Sequence, residues 1–391
     1  MTKKEKMMRK RQQRARARMR MGTALLLMLL VLLWPAAGIV DEATEEGSAQ
    51  QQIFAPDGSL ASSAAAPTPT IAPTATPEPT QTPEPTATPI PEPVTITLTF
   101  GGDCTLGGDV NKNNTRFQSY VDENGYAYFF ENLKEVFEND DLTIINLEGP
   151  LTEAKEKRAN RQFNFRCDPA NVQILVEGDV EVAHLANNHA KDFLTAGYED
   201  TVKYVAEAGI AGYGYKQTQI IEVKGVKVGF IGLTEWDYDV SEVKEMISEL
   251  RAECDILVAS FHWGEEKRYT STTEQRRYAK AAVEAGADVV VGHHSHVVSG
   301  VTEYEDVPVV FSVGNLCFGG NSSPYDMDAM LFQPTFTVDH TGTIIDTDFE
   351  VIPVRISGDK SMNDYQPHVA EGKDAERILD KISEYSTVNV F

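Results

Sequence analysis

Cysteine is scarce in this chain of 391 residues, which contains only Cys104, Cys167, Cys254 and Cys317. No two of them form a Cys-x-x-Cys pair. A small scaffold held together by disulfides and a structural zinc ribbon both need closely spaced cysteines, so the sequence argues against both classes. Cys254 opens an apolar run and is expected in the core, whereas any pairing among the other three thiols stays open.

Positive charge is also scarce after the first twenty residues. The whole chain carries a net charge of −24 and residues 1–20 carry +9, which leaves −33 for residues 21–391. So acidic a protein repels nucleic acid and attracts cations. An anionic substrate would need a locally basic patch, and one run supplies it: Lys155, Lys157, Arg158, Arg161 and Arg166. Arg161 and Arg166 are our candidate substrate-binding residues, with a solvated loop as the alternative interpretation.

Charge is absent from residues 21–40, which follow a segment with ten Lys or Arg and one acid. Twenty apolar residues in a helix span about 30 Å, enough to cross a bilayer core. The basic side is expected to stay in the cytoplasm. The sequence therefore predicts a basic cytoplasmic segment over 1–20, a transmembrane signal-anchor over 21–40 and an extracellular remainder. A cleaved secretory signal is the alternative, because Pro35 to Gly38 offers small residues to a peptidase.

Aromatic residues are absent from residues 56–93, which hold eleven of the nineteen prolines. Repeats such as Thr76-Pro77-Glu78-Pro79-Thr80 cannot bury enough apolar surface to form a core. At about 3.1 Å per residue, this segment in polyproline-like form reaches roughly 120 Å. Residues 41–93 are therefore predicted to be a disordered Pro/Thr-rich extracellular linker that holds the folded part away from the membrane.

Strand-like and helix-like segments alternate from Val94 onward, which predicts one α/β domain over 94–355 with two stacked sheets between helices. A hairpin is expected over residues 220–231. Helices are expected over residues 126–139, 171–177, 194–208, 241–251 and 272–285, the last with a capping box at Thr272. Residues 356–391 form a C-terminal extension with one helix and no assigned role.

Polar side chains stand at the ends of six strand-like runs. These ends are Gly102-Asp103, Asn146-Leu147-Glu148, Asn187-Asn188-His189, Phe261-His262-Trp263, Gly292-His293-His294-Ser295-His296 and Gly314-Asn315. Open α/β sheets bind ligands beyond the carboxyl ends of their strands. Carboxylate, amide and imidazole groups gathered there are the usual ligands of a hydrolytic metal centre. The sequence therefore predicts a metal site.

The histidines are the strongest part of this prediction. His293, His294 and His296 are three of only eight histidines in the chain, and they lie within four residues. Taken alone, Asp103 fits a Gly-Asp turn, and His262 beside two aromatic residues fits a packed core. The metal interpretation depends on all of these side chains converging in one pocket.

The six motifs, in this order, resemble those of the CapA family, which is linked to poly-γ-glutamate capsule biosynthesis. The resemblance covers about residues 94–320. That family is similar to the calcineurin-like metallophosphoesterases. The resemblance therefore implies a four-layer α/β/β/α sandwich with two divalent ions, and leaves Mn, Zn, Fe and Mg open.

The resemblance also implies roles for individual residues. The metal ligands would be Asp103, Glu148 and His296 for one ion, and Glu148, Asn188, His262 and His294 for the other. His189 would be the catalytic imidazole, and Asn146, Asn187, His293 and Asn315 would support the ligands. Two positions depart from the metallophosphoesterase pattern. Thr105 stands where a histidine ligand is expected, and Glu148 stands where the bridging residue is Asp. The first site would therefore lack an imidazole and be weak, empty or selective for a harder ion.

Three functions are compatible with these observations. The leading hypothesis is a membrane-anchored extracellular protein of poly-γ-glutamate capsule or cell-surface polymer synthesis, with a metal-dependent hydrolytic site and no nucleic-acid partner. The second is a non-catalytic subunit that holds or exports the polymer within a membrane synthase complex and has a degenerate site. The third is a secreted metal-dependent phosphodiesterase unrelated to capsule.

Overall fold

The computed structural model describes residues 91–390. The segments predicted to be cytoplasmic (1–20) and transmembrane (21–40) lie outside the described residues, as does the linker up to residue 90. Within residues 91–390, no helix combines the length and the apolar character that crossing a bilayer requires. None of the four cysteines, all of which lie in this range, forms a disulfide.

Sixteen strands and seven α-helices make up the folded part between residues 91 and 390. The strands are β1 (Val94–Thr105), β2 (Gly107–Asp109), β3 (Leu142–Leu147), β4 (Phe165–Cys167), β5 (Val182–His184), β6 (Ala211–Tyr213), β7 (Gln219–Val223), β8 (Val226–Thr234), β9 (Ile256–His262), β10 (Val289–His293), β11 (Val301–Tyr304), β12 (Val307–Val310), β13 (Asn315–Phe318), β14 (Asp328–Val338), β15 (Ile344–Arg355) and β16 (His368–Val369). The helices are α1 (Arg116–Asn124), α2 (Lys134–Phe137), α3 (Gln173–Glu177), α4 (Leu194–Glu207), α5 (Val240–Arg251), α6 (Thr273–Glu284) and α7 (Gly372–Tyr385).

Two large sheets contain most of these strands. The eight-stranded sheet has the order β16-β15-β14-β1-β3-β5-β6, with β13 also paired to β1. The six-stranded sheet has the order β11-β12-β10-β9-β8-β7. In the eight-stranded sheet, β1, β3, β5 and β6 run parallel to one another, and β8, β9, β10 and β12 do so in the six-stranded sheet. Parallel central strands bring their carboxyl ends to one edge of each sheet.

Alternation along each strand sends neighbouring side chains into different apolar clusters. Ile144 of β3 and Val258 of β9 lie in a cluster that contains side chains of both sheets. Ile145 packs instead with α1, α3 and α4, and Ala259 packs with α5 and α6. Apolar side chains therefore fill the space between the two sheets, and they also cover the outer face of each sheet. This arrangement confirms the predicted α/β domain.

Most predicted elements are present, and the differences have local causes. The hairpin over 220–231 is β7–β8, and the capping box at Thr272 begins α6. The helix predicted over 126–139 is instead two 3₁₀ turns followed by the four-residue α2. Buried Phe129, Phe130 and Leu133 fill the core there, so the apolar residues of this segment are buried without a continuous helix.

The C-terminal residues pack onto the domain. Ile378 and Ile382 of α7 are fully buried in the cluster that lies between the sheets. Arg377 and Lys381 on the same helix form ion pairs with Asp328, and Lys381 also pairs with Asp326 at 2.9 Å. Residues 356–390 therefore complete the core of this domain.

Candidate metal centre

Strand register brings the predicted ligands to one edge of the fold. Asp103 lies opposite Asn146 on β3 and opposite Asn315 on β13, and His262 lies opposite His293 on β10. The two sheets meet here, because Nδ2 of Asn146 is 2.8 Å from Oδ1 of Asp103 and 3.3 Å from Nδ1 of His262. The convergence on which the metal prediction depends is therefore present.

Glu148 is the centre of this cluster. Its side chain is fully buried, and neither carboxylate oxygen has a hydrogen-bond partner within residues 91–390. Oε1 lies 3.9 Å from Nε2 of His189, 3.8 Å from Nε2 of His262 and 3.9 Å from Nε2 of His296. Two atoms that each bind one ion at about 2.1 Å are about 3 to 4 Å apart. A buried carboxylate without a partner is costly, and this spacing suits a cation as the missing partner.

Burial sets the protonation of two of the imidazoles. It lowers the pKa of His262 well below its ordinary value and, with repulsion from His296, lowers the pKa of His294 to about 3. Both rings are therefore neutral at physiological pH. A neutral imidazole offers the lone pair that a metal ion needs.

The carboxylates of the centre have opposite pKa shifts. Burial by itself raises the pKa of Asp103, but the neighbouring imidazoles of His293 and His296 outweigh it and hold the pKa well below its ordinary value. Burial raises the pKa of Glu148 well above its ordinary value. Burial likewise opposes a charge on His296, yet attraction to Glu148 and the hydrogen bond to Asp103 raise its pKa to about 10. Positive charge is thus favoured between the two carboxylates, where a divalent cation would take the place of the proton.

Two overlapping groups of side chains could each hold an ion. One contains Glu148, His294 and His296, the other contains Asp103, Glu148 and His262, and the ligand atoms of each group lie within 4.8 Å of one another. Glu148 belongs to both, as expected of a bridging ligand. The resemblance instead places Asp103 and His296 on the same ion, and Oδ2 of Asp103 lies 3.2 Å from Nδ1 of His296. Which of these ligands share an ion therefore stays a prediction.

The remaining predicted ligand and the catalytic candidate lie beside these groups. Oδ1 of Asn188 is 2.9 Å from Nε2 of His262. His189 turns its Nε2 toward Glu148 and its Nδ1 toward Asp192, whose Oδ2 is 2.6 Å away. The Asp192 side chain is fully buried and also accepts a hydrogen bond from the Phe165 amide at 2.7 Å. Asp192 therefore orients His189, much as the acid of a catalytic triad orients its histidine.

The four residues predicted to support the ligands lie behind or between them. Nδ1 of His293 is 3.4 Å from Oδ1 of Asp103, and Oδ1 of Asn315 is 2.9 Å from Nδ1 of His296. Asn146 contacts Asp103 as described above. Asn187 donates to the Leu147 carbonyl at 2.8 Å and accepts from the His189 amide at 3.2 Å. These contacts hold the rings and carboxylates in their orientations.

Thr105 has a structural role at the position where the metallophosphoesterase pattern has histidine. Its hydroxyl donates to the backbone carbonyl of Glu148 at 2.7 Å. This bond ties the end of β1 to the segment that carries the central carboxylate. The centre therefore has imidazoles from β9 and from the 293–296 turn but none from β1.

The two candidate substrate-binding arginines are separated in the structure. Arg161 donates to the backbone carbonyl of Asn188 at 3.3 Å and lines a cleft of about 610 Å³ that reaches Asn188 and His294. Arg166 lies on β4, over the ring of Phe193, and lines neither this cleft nor the one on the His189 side. The structure therefore brings Arg161 to the centre and leaves Arg166 away from it.

A comparison with known families agrees with these motifs. The family model described as bacterial capsule synthesis protein PGA_cap matches residues 97–320, more than half of the chain. The chain belongs to the PGA_cap family. All of the candidate ligands lie inside the matched range.

Curated relatives of this PGA_cap protein carry matching names. The PGA biosynthesis protein CapA of Bacillus subtilis (strain 168) is 29% identical over 282 residues, covering 66% of this chain and 71% of the relative. The capsule biosynthesis protein CapA of Bacillus anthracis is 29% identical over 251 residues, covering 57% of this chain and 59% of the relative. A "Probable polyglutamine synthesis accessory protein" of Mycobacterium tuberculosis is 26% identical, covering 56% and 66%. The predicted membership of the CapA family is confirmed.

Sequence reasoning missed two residues of the PGA_cap site. Asp192 follows His189 by three positions, and this spacing in a loop carries no recognisable signal for a hydrogen-bonded pair. Trp236 is 49% exposed, and its ring centroid lies 5.0 Å from that of His294 and 6.1 Å from that of His262. An exposed tryptophan is unusual, but its position over the ligands becomes evident only in three dimensions.

Gly102 provides a test of how tightly the centre is built. A Cβ atom at this position would overlap the Gly314 carbonyl oxygen, to which the Asp103 amide donates at 3.0 Å. We expect Gly102→Ala to displace Asp103 and to lower the free energy of unfolding by about 2 kcal/mol. Chemical denaturation checks this. Gly358→Ala is the control, because its Cβ would meet only a carboxylate oxygen of Asp364 at 3.3 Å, and an equal loss in both variants would contradict the expectation.

Proposed function

We propose that this protein is a membrane-anchored, extracellular component of poly-γ-glutamate capsule or cell-surface polymer synthesis, and that its domain is a metal-dependent hydrolase with two divalent ions. One observation carries the hydrolase part. The fully buried Glu148 carboxylate has no hydrogen-bond partner among residues 91–390, yet three imidazole nitrogens surround it at 3.8–3.9 Å. No protein group among these residues hydrogen-bonds to this carboxylate, and divalent cations would supply the missing partners.

The layering of the domain supports a metallophosphoesterase-like fold. Apolar side chains of both sheets share one cluster, and the outer faces of the sheets are covered by α1, α3 and α4 on one side and by α5 and α6 on the other. This is the order expected of a four-layer α/β/β/α sandwich. The candidate ligands stand at the carboxyl ends of its central strands, where such folds bind ligands.

The residues of the centre suit a hydrolytic reaction. Asp103, Glu148, Asn188, His262, His294 and His296 would hold the ions. When bound, such ions supply Lewis-acid polarisation and lower the pKa of water to about 7. Hydrolysis adds the hydroxyl group of water to the carbonyl carbon of the broken bond, and the departing nitrogen takes a proton. His189 is placed to deliver that proton, because Asp192 holds its Nδ1 and leaves its Nε2 facing the centre.

The proposed substrate is an anionic polymer such as poly-γ-glutamate. The relatives are named for capsule, PGA and polyglutamine synthesis, and Arg161 offers a positive charge next to Asn188. The proposed partners are the membrane, through residues 21–40, and subunits of a membrane synthase. The charge pattern of residues 1–40 supports a cytoplasmic N-terminus. Protease treatment of intact cells should then remove the domain, and full protection would contradict the extracellular location.

Metal content and turnover together test this proposal. We expect the purified full-length protein to hold about two divalent ions per chain, and to hydrolyse γ-glutamyl polymer or an aryl phosphodiester. Chelation should abolish turnover, and adding Mn²⁺ or Zn²⁺ should restore it. His189→Ala should lose turnover and keep its metal.

Two other outcomes would favour the alternative functions. Metal-free protein that still restores polymer export in a deletion strain would indicate a non-catalytic holding or export subunit. Turnover of phosphodiesters alone, in a strain whose capsule is unaffected by deletion, would indicate a phosphodiesterase unrelated to capsule.

A further inference from the structure

Two separate clefts reach the candidate metal centre. The larger, about 920 Å³, is lined by His189, His296 and Asn315 where it meets the centre. The smaller, about 610 Å³, is lined by Asn188 and His294. No residue lines both clefts. The centre therefore opens into two distinct spaces.

Both clefts are lined by basic side chains that lack carboxylate partners. The larger cleft has Lys112, Arg116 and Lys267 against two acidic residues, Glu123 and Glu266, and the smaller has Arg158, Arg161 and Lys191 against one, Asp237, so basic groups outnumber acidic ones in both. Within residues 91–390, none of these six forms an ion pair. Elsewhere in this acidic chain many basic side chains do, including Lys224 with Asp141 and Lys244 with Glu284. Positive charge left unpaired beside the centre is available to an anionic ligand.

Aromatic rings hold several of these basic groups in position. Nζ of Lys112 lies 4.3 Å from the ring centroid of Phe163, and Nζ of Lys191 lies 4.6 Å from that of Tyr215. The Tyr215 hydroxyl in turn donates to the Asn187 carbonyl at 3.1 Å. A cation on a ring face keeps N–H donors free for another partner. The arrangement occurs in both clefts and gives each a preformed anion-binding wall with apolar surface beside it.

We infer that a linear polycarboxylate lies across both clefts, with an internal bond of its chain at the metal centre. This inference rests on the proposed function and adds the binding mode of the substrate. Carboxylates spaced along one chain would meet the basic groups on either side, and the methylene groups between them would meet the aromatic rings. A small anion needs only one cleft, so the second basic cleft is explained by a ligand long enough to occupy both.

Length dependence and charge reversal test this inference. The probes are fluorescein-labelled γ-linked glutamate oligomers of about three and about twelve residues, titrated into full-length, metal-loaded protein. All measurements use the His189→Ala background, which prevents turnover during the titration. Simultaneous occupation of two sites should make the longer oligomer bind at least about tenfold more tightly than the shorter. Fluorescence anisotropy measures both affinities.

Variants then separate the clefts. Arg161→Glu changes the smaller cleft and Lys267→Glu the larger, and Lys373→Glu, in exposed α7 sequence outside both clefts, is the matched control. Each cleft variant should weaken binding of the longer oligomer about tenfold. Binding of the shorter oligomer should weaken in only one of the two cleft variants. Lys373→Glu should bind both oligomers as tightly as the parent does. If Lys267→Glu fails to fold, Lys112→Glu in the same cleft replaces it.

Three results would overturn the inference. The first is that only one of the two cleft variants weakens binding of the longer oligomer. The second is that neither oligomer binds. The third is that a polyphosphate of matched charge binds and the glutamate oligomers do not. The proposed hydrolase activity is measured separately on the protein with His189 intact. Binding across both clefts without turnover would contradict the proposed hydrolase activity and would still support this inference. Turnover of a substrate that occupies only one cleft would support the hydrolase activity and contradict this inference.

Discussion

Replacing Glu148 with Gln is expected to abolish metal binding and, with it, the stabilisation that metal gives the parent. The amide would keep the shape of the side chain and remove the charge that the ions need, so affinity for Mn²⁺ or Zn²⁺ should fall at least about a hundredfold. Without metal, the free energy of unfolding of the variant should stay close to that of the parent, because burial raises the pKa of Glu148 and favours its uncharged form, which the amide resembles. With metal present, only the parent should gain stability, by about 2.7 kcal/mol at a hundredfold excess over Kd.

Thermal unfolding with chelator and with added metal measures both effects. Glu123→Gln is the matched control, since Glu123 is an exposed carboxylate that lines the larger cleft. The control should bind metal and respond to it as the parent does. A Glu148→Gln variant that retains its ions would show that this carboxylate is not a ligand.

Replacing Asp192 with Asn is expected to lower turnover by roughly a hundredfold while leaving the bound metal unchanged. The 2.6 Å contact to Nδ1 of His189 fixes the orientation of the ring. An amide keeps the bond that Asp192 accepts from the Phe165 backbone but removes the charge. The fall should be in kcat more than in KM, because Asp192 reaches the substrate only through His189.

The leaving group separates this role from a general loss of structure. The p-nitrophenolate of a p-nitrophenyl ester departs without help from an acid. Asp192→Asn should therefore slow hydrolysis of this ester much less than hydrolysis of an alkyl phosphodiester or a γ-glutamyl amide. Asp380→Asn, at an exposed carboxylate of α7 outside both clefts, should leave all three rates unchanged. Equal losses on activated and unactivated substrates would contradict proton delivery by His189.

The residues of the metal centre were predictable because each follows an apolar strand. Parallel strands align their carboxyl ends, so Asp103, Asn146 and His262 meet once β1, β3 and β9 are recognised. Strand register then determines which side chains are neighbours, since β1 and β3 place Asp103 directly opposite Asn146. Period-two alternation therefore carried most of the information about both the sheets and the centre.

The parts that could not be predicted depend on loops and long-range pairing. Asp192 reaches His189 through a tight turn in which the Asp192 amide donates to the His189 carbonyl at 3.0 Å, and no periodic pattern marks such a turn. Arg166 was expected at the substrate site because it belongs to the basic run over residues 155–166, which lies between two of the site segments. Arg166 instead pairs with Gly108 in the short β2–β4 ladder, away from the metal centre. This pairing could not be predicted, because Gly-rich β2 has no strand signal.

His294 and His296 illustrate a second limit of sequence reasoning. Both have positive φ angles, 94° and 57°, in a region that side chains other than glycine rarely adopt. The turn holds one imidazole toward Glu148 and His262 and the other toward Asp103 and Asn315. Such strain is commonly retained at functional sites, and it is invisible in the sequence His-Ser-His.

Anomalous diffraction from crystals soaked in Mn²⁺ tests the central claim most directly, because it locates ions independently of turnover. We expect two anomalous peaks about 3.5–4 Å apart, one on each side of the Glu148 carboxylate and each within about 2.5 Å of one of its oxygens. Soaked crystals without a peak at Glu148, in which that carboxylate instead contacts only protein groups or water, would contradict it.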